Sequence, residues 1–135
     1  MTITVKDWLK ELEERAKGTF WDYLGGSVAE LSPGKASVTL EVRPHHLNPM
    51  NMVHGGVLAS LIDNTMGLAA MSVQPGRKVV TTNLNVQYVA PFESGTLTTV
   101  AAVVHISRTT LTLQAEITDE HGKLGTIGTA SFRIL

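Results

Sequence analysis

Apolar residues follow two different periods along this chain of 135 residues, and each period predicts one kind of element. Near the N-terminus they repeat every three or four positions, which is typical of an amphipathic helix. The apolar residues of this helix are Val5, Trp8, Leu9, Leu12 and Ala16. Thr4 and Asp7 resemble a capping box at its start, and Gly18 is suited to end it. Because the rest of its surface is charged, we expect residues 1–18 to form a peripheral helix on the body of the domain.

Alternation with a period of two predicts strands in two parts of the chain. Ser27–Leu31 and Ala36–Val42 are joined by Pro33-Gly34 and predict a hairpin. Four more strands are predicted after residue 76, and long antiparallel neighbours of this kind twist and curl. The last of these strands runs from Leu124 to Ile134. The apolar faces of the other three are, in chain order, Leu84, Val86, Tyr88 and Ala90; Thr98, Val100, Ala102, Val104 and Ile106; and Leu111, Leu113, Ala115 and Ile117.

Between the two groups of strands lies a segment that is apolar nearly all round, from His54 to Val73. A helix of this kind belongs in the middle of a domain, and Gln74-Pro75-Gly76 ends it. The order of elements is therefore a helix, two strands, one buried helix and four strands. We predict an α+β fold in which a curled antiparallel sheet wraps around one long buried helix, in a single domain of residues 1–135.

Composition narrows the classes of function. Lys plus Arg number 11 and Asp plus Glu number 12, a balance that argues against nucleic acid or an anionic membrane as partner. The absence of cysteine excludes a disulfide framework, a cysteine nucleophile and a cysteine-ligated metal. No metal or other cofactor is expected, because the five histidines lack metal-ligand spacing and no nucleotide-binding fingerprint occurs. Without a membrane-spanning run or a leader segment, the protein is expected to be cytoplasmic.

Asp63 is the sharpest chemical feature of the sequence. Apart from histidines, it is the only residue with an ionisable side chain between Arg43 and Arg77, and it lies within the apolar helix. A buried carboxylate is costly unless it finds hydrogen bonds or serves a site. The pattern leaves two interpretations open, a structural aspartate at a helix contact and a reactive group.

His54-Gly55-Gly56 opens the same helix. Two glycines at a helix N-terminus expose backbone N–H groups, which suits an anion or a developing oxyanion. The alternatives are an ordinary glycine-rich helix entry and a structural role for His54.

The spacing between His54-Gly55-Gly56 and Asp63 limits how the two features can act together. Asp63 lies nine positions after His54, which is about 13 Å along a helix and half a turn around it. Asp63 therefore does not reach a carbonyl held at the start of its own helix. If both groups act on one substrate, they come from different chains, and a two-fold dimer with antiparallel buried helices satisfies this.

The segment from Asn48 to Gly56 reads N-P-M-N-M-V-H-G-G, followed by L-I-D at residues 61–63. It resembles the N-P-x-G-x-x-H-G-G…L-x-D signature of hotdog-fold thioesterases of the PaaI type, and the similarity covers about residues 20–134. The resemblance implies the hotdog fold, a long helix inside a curled sheet. Asn51 stands where the signature has glycine, and the turn is expected to survive because asparagine tolerates the left-handed backbone conformation.

The resemblance also implies roles for individual residues. The Gly55 N–H would polarise a thioester carbonyl, and Asp63 of the partner subunit would be the nucleophile or the general base that activates water. Asn48 would orient the water or the carboxylate, and Thr81 would assist the water. His54 would support the acyl-binding loop or bond the carbonyl. The substrate-binding residues implied are Gly56, Tyr88 and Arg108, the last as a contact for a coenzyme A phosphate.

We therefore expect a metal-free acyl-CoA thioesterase that hydrolyses an aromatic or medium-chain acyl-CoA to the free acid and CoA. The resemblance implies a homodimer that assembles into a homotetramer. Two alternatives are a hotdog hydratase or dehydratase and a non-catalytic acyl-CoA-binding protein. A hydratase needs a histidine and a carboxylate placed for proton transfer from carbon, and the spacing of His54 and Asp63 fits this poorly. A pure binder has no reason to place Asp63 inside an apolar helix.

Overall fold

A computed structural model describes residues 5–135 of the chain. The elements are α1 (Val5–Ala16), α2 (Phe20–Leu24), β1 (Ser27–Ser32), β2 (Lys35–Glu41), a 3-10 turn (Pro44–His46), α3 (Gly55–Ser72), β3 (Val79–Tyr88), β4 (Thr96–Ile106), β5 (Thr110–Thr118) and β6 (Leu124–Ile134). The predicted order of helices and strands is confirmed, with the short α2 as an addition. The Thr4 half of the predicted capping box lies outside the described residues.

The six strands form one antiparallel sheet in the order β1-β2-β4-β5-β6-β3, and the sheet curls around α3. Leu61, Ile62 and Met66 of α3 are fully buried against it. Gly128 of β6 leaves room for this contact, because a Cβ there would meet a methyl carbon of Ile62. The predicted fold class is therefore confirmed, with one long helix enclosed by a curled sheet.

The apolar face that the sequence pattern indicates for β4 is the outer face of the sheet. Val100 and Val104 are 41% and 58% exposed, whereas Leu97 and Ala101 are fully buried against the helix side. A bulge between Val103 and His105 turns Ile106 back to the face of its buried partner Leu111, so Ile106 does not belong to the outer face. Both faces of β4 are rich in small and β-branched residues, so periodicity alone does not distinguish them. The outer face of the sheet consequently carries an exposed apolar strip.

A β-bulge in β3 changes which residues of this strand face α3. Thr81 lies opposite Phe132, but the register then shifts, so that Leu84 lies opposite Ala130. Thr82 is the extra residue, and its Oγ1 donates to the Ser131 carbonyl oxygen at 3.0 Å. Because one residue is added, Thr81 and Leu84 lie on the same face of the sheet, which strict alternation would forbid.

His46 ties the segment before α3 to α2. Its side chain is 2% exposed. Its Nδ1 accepts a hydrogen bond from the Arg43 N–H at 2.9 Å, and its Nε2 lies 2.8 Å from the Leu24 carbonyl oxygen, to which it donates. His54 N donates to the His46 carbonyl oxygen at 2.8 Å, so the ring also positions the start of α3.

We expect His46→Phe to lower the free energy of unfolding by about 2–4 kcal/mol, because the ring volume remains but the Arg43 N–H and the Leu24 C=O lose their partner. Urea denaturation followed by circular dichroism measures this. His45→Phe is the matched control, since His45 is exposed and its ring makes aromatic contacts with Tyr23 and His46 but no hydrogen bond with any residue of 5–135. Equal effects of the two substitutions would contradict the anchoring role of His46.

Candidate active site

The start of α3 carries one free backbone donor. His54 is the N-cap, and its Nδ1 accepts a hydrogen bond from the Gly56 N–H at 2.8 Å. The expectation that both glycine N–H groups are available is therefore wrong for Gly56, because its N–H is already bonded to the side chain of His54. The Gly55 N–H has no acceptor within residues 5–135, and the helix dipole adds to its positive character.

A cavity of about 320 Å³ lies beside this donor. Its lining residues are Asn48, Met52, Val53, Gly55, Leu58, Tyr88, Val89, Ala90 and Pro91. Tyr88 closes one side, and its hydroxyl donates to the Gly55 carbonyl oxygen at 2.8 Å. A Cβ at Gly55 would lie 3.3 Å from the Tyr88 hydroxyl, which explains the preference for glycine there. The apolar wall of Leu58 and Val89 is a part of the site that motif reasoning missed.

Asn48 builds the loop that borders the cavity. Its Oδ1 accepts hydrogen bonds from the N–H groups of Met50 and Met52, at 2.9 and 3.2 Å. Asn51 has a φ of 61°, so the asparagine does adopt the left-handed conformation that the signature gives to glycine. The side-chain oxygen of Asn48 therefore stabilises the loop, whereas its Nδ2 group donates to no described residue.

Asp63 faces β3, at the edge of the sheet. The Thr81 hydroxyl donates to Asp63 Oδ1 at 2.7 Å. The carboxylate is half-buried in the single chain rather than buried, because only the edge strand lies on that side of α3. The bulge at Thr82 is what directs Thr81 toward α3, so sheet geometry produces this pair.

The two groups of candidate residues lie apart within one chain. Asp63 lies eight positions after Gly55 on α3, about 12 Å along the axis. The described lining of the cavity at Gly55 contains no acidic residue. Each chain therefore holds a donor half, with Asn48, Gly55 and Tyr88, and a carboxylate half, with Asp63 and Thr81.

Arg108 does not reach the donor half. It lies exposed in the turn between β4 and β5 and lines none of the cavities beside α3. Leu111 and Thr81 both lie opposite Phe132 of β6, so this turn is at the end of the sheet that carries Thr81. Arg108 is thus associated with the carboxylate half.

A six-stranded antiparallel sheet curled around one long helix, with a free N–H at the helix start and a carboxylate two turns later, defines the hotdog class of enzymes. Residues 50–126, more than half of the chain, match the model of the thioesterase superfamily. The chain belongs to this superfamily, which confirms the predicted class, a thioester hydrolase.

Individual relatives agree with this assignment. The chain is 32% identical over 102 residues to the 1,4-dihydroxy-2-naphthoyl-CoA hydrolase of Listeria monocytogenes, covering 75% of this chain and 83% of the relative. A mutant of the phenylacetic acid degradation protein PaaI from Thermus thermophilus superposes with a TM-score of 0.80 at 34% identity, over 86% of this chain and 98% of the other. A conserved protein of Pseudomonas aeruginosa superposes with a TM-score of 0.86 at 32% identity, over 90% and 98%.

Within the described part of the chain, no helix is both long and apolar enough to span a bilayer. The cytoplasmic location remains a prediction.

Proposed function

We propose that this protein is an acyl-CoA thioesterase whose site is completed by a second copy of the chain. The observation that carries the proposal is the division of the site, with a free Gly55 N–H beside a cavity in one place and the Asp63–Thr81 pair in another. A thioester carbonyl held at Gly55 needs a base or nucleophile that its own chain does not supply. Asp63 of the partner subunit is the group of the right chemistry.

The proposed reaction uses the groups as follows. The Gly55 N–H polarises the thioester carbonyl and binds the oxyanion as it develops. Asp63 of the partner subunit takes a proton from the water that attacks the carbonyl carbon, or attacks that carbon itself. The carbon–sulfur bond then breaks, and the thiolate of CoA leaves and takes up a proton. Water attack gives the free acid directly, whereas attack by Asp63 gives an acyl-aspartyl anhydride that a water molecule then hydrolyses to the free acid and the regenerated carboxylate. The Thr81 hydroxyl holds the carboxylate, and Asn48 donates from Nδ2 to the water or the carboxylate.

His54 serves the same site indirectly. By accepting from the Gly56 N–H it caps α3, and this leaves Gly55 as the exposed donor. Arg108, at the carboxylate end of the sheet, is suited to meet a phosphate of CoA.

Two surfaces support the proposed assembly. β3 is an edge strand whose Val80, Leu84 and Tyr88 are 42%, 37% and 53% exposed, so a second β3 pairing across a two-fold axis would cover them and bring two α3 helices side by side. The exposed apolar strip of β4 is a second surface of the same character, and we propose that it joins two dimers into a homotetramer.

The acyl group proposed is aromatic or medium-chain. The lining of the Gly55 cavity is mainly apolar, with Met52, Val53, Leu58 and Val89. Two of the similar proteins are named for aromatic chemistry, one for 1,4-dihydroxy-2-naphthoyl-CoA and one for phenylacetic acid degradation.

The test is a panel of aromatic and medium-chain acyl-CoA thioesters, with release of free thiol measured colorimetrically. Hydrolysis of at least one class well above the uncatalysed rate is expected. Binding of acyl-CoA without thiol release would favour the non-catalytic alternative, and hydration of an unsaturated acyl-CoA without thiol release would favour the hydratase.

Asn48 offers a test that separates loop structure from chemistry. We expect Asn48→Asp to keep the acceptor for Met50 and Met52, and hence the melting temperature, while kcat falls at least ~10-fold because the Nδ2 donor is lost. Asn48→Ala is the comparison, since it removes the acceptor as well and should also lower the melting temperature. An Asn48→Asp enzyme with unchanged kcat would remove this residue from the mechanism.

A further inference from the structure

The peptide group that joins Gly55 to Gly56 is held at both of its ends by side chains. The Gly56 N–H donates to Nδ1 of His54 at 2.8 Å. The Gly55 carbonyl oxygen, at the other end, accepts from the Tyr88 hydroxyl at 2.8 Å. His54 directly precedes the two glycines, whereas Tyr88 lies 33 positions after Gly55, at the end of β3. One peptide group is therefore restrained by its own helix and by the sheet together.

The same two side chains explain why both positions are glycine. A Cβ at Gly55 would lie 3.3 Å from the Tyr88 hydroxyl oxygen, and a Cβ at Gly56 would lie 3.0 Å from Nδ1 of His54. Both approaches are closer than an ordinary van der Waals contact between heavy atoms. Each glycine thus leaves room for one hydrogen-bond partner of the peptide group. Because glycine has more backbone freedom than any other residue, these partners restrain a peptide group that would otherwise rotate easily.

Tyr88 holds this group from a fixed backbone. It lies opposite Thr126 in the pairing of β3 with β6. The two residues after it are anchored to the same strand, because the N–H groups of Val89 and Ala90 both donate to the Gly125 carbonyl oxygen, at 2.9 and 3.2 Å. The tyrosine hydroxyl therefore relates the start of α3 to the sheet, which the contact with His54 does not do.

The restraint acts on the residue that carries the free donor. The peptide group before Gly55 is fixed by the first turn of α3, since the His54 carbonyl oxygen accepts from the N–H groups of Val57 and Leu58, at 2.9 and 3.3 Å. The peptide group after Gly55 is fixed by His54 and Tyr88. With both neighbouring peptide groups held, the Gly55 N–H keeps one direction at the cavity that it lines. A donor that is already aligned needs no reorganisation when the oxyanion develops.

We propose that Tyr88 is a positioning residue, which acts through the Gly55–Gly56 peptide group to keep the Gly55 N–H aligned with the oxyanion. The inference rests on the proposed thioesterase function, because only in that reaction is this N–H the oxyanion donor. The role differs from the one that the resemblance implies, in which Tyr88 binds the substrate. Its single hydroxyl proton is already donated to the Gly55 carbonyl oxygen, so it is not offered to a ligand.

The kinetic test removes one hydroxyl and keeps the ring. Tyr88→Phe is expected to lower kcat about 10-fold for every thioester that the enzyme hydrolyses, with KM within about 2-fold of wild type. The chain has one other tyrosine, Tyr23, which is 70% exposed and whose hydroxyl makes no hydrogen bond with any described residue. Tyr23→Phe is therefore the matched control and should keep the wild-type kcat. A raised KM with unchanged kcat, or a loss that differs between acyl groups, would show a direct substrate contact and overturn the proposal.

Amide exchange tests the restraint without any substrate. Protein labelled with [¹⁵N]glycine reports the exchange of the Gly56 N–H with water by NMR, and Gly56→Ala assigns the signal. Exchange requires the bond from this N–H to His54 to open, and release of the other end of the peptide group makes opening easier. The Gly56 N–H is expected to exchange at least ~10-fold faster in Tyr88→Phe and at the wild-type rate in Tyr23→Phe. Equal rates in all three proteins would overturn the proposal.

The two measurements together separate this proposal from the thioesterase proposal. Faster Gly56 exchange in Tyr88→Phe, without hydrolysis of any thioester by the wild type, keeps the restraint and rejects the enzyme. Hydrolysis by the wild type with an unchanged exchange rate in Tyr88→Phe keeps the enzyme and rejects the positioning role. Faster exchange with an unchanged kcat shows a contact that is structural only, and this also overturns the proposal.

Discussion

An Asp63→Asn enzyme is expected to hydrolyse the best thioester at least ~100-fold more slowly in kcat while it still binds the substrate. Asparagine keeps an oxygen that accepts from the Thr81 hydroxyl, so the 2.7 Å contact and the fold are preserved. What it loses is the charge and basicity needed to activate water or attack the carbonyl. Steady-state kinetics of thiol release, together with the melting temperature, measure both effects.

Thr81 supplies the matched controls for this experiment. Thr81→Ser retains the hydroxyl that orients the carboxylate and should stay near wild type, whereas Thr81→Val removes it at nearly constant volume and should lower kcat by less than Asp63→Asn. An Asp63→Asn enzyme with wild-type kcat would show that the carboxylate is structural, the interpretation that the sequence leaves open.

Mixing two inactive variants should restore activity if each site is shared between chains. One variant is Asp63→Ala, and the other is Gly55→Pro. Proline removes the Gly55 N–H itself, and the first position of a helix accepts proline because no intrahelical bond is lost there. His54 has φ −60° and ψ 135°, the extended conformation that a residue before proline adopts.

Random re-association should return about a quarter of the wild-type activity. Half of the dimers are mixed, and each mixed dimer has one site with an intact Gly55 from one chain and an intact Asp63 from the other. Gly55→Ala is the control for crowding against Tyr88, since it adds a Cβ but retains the N–H. Mixed dimers verified by two affinity tags that remain inactive would show that the site lies within one chain.

The sequence by itself determined the fold class and the chemical candidates of this protein. A helix apolar on nearly all sides has one stable place, inside a curled sheet, and its position between strands sets the order of elements. The segment from Asn48 to Gly56 and the lone Asp63 are local features, so their spacing along the chain survives any packing. If Gly55 and Asp63 act on one substrate, the prediction of a second chain also follows from the rise of a helix.

Only the tertiary structure decided how these groups face one another, because register and burial depend on residues distant in the chain. The bulge at Thr82 arises from pairing with β6 and directs Thr81 toward Asp63, a placement that strict alternation excludes. The N-cap bond of His54 leaves one free glycine N–H where the sequence suggests two. The unpaired amide of Asn64 becomes visible only in the structure, since its surroundings combine residues of α1 and α3 that are distant in the chain.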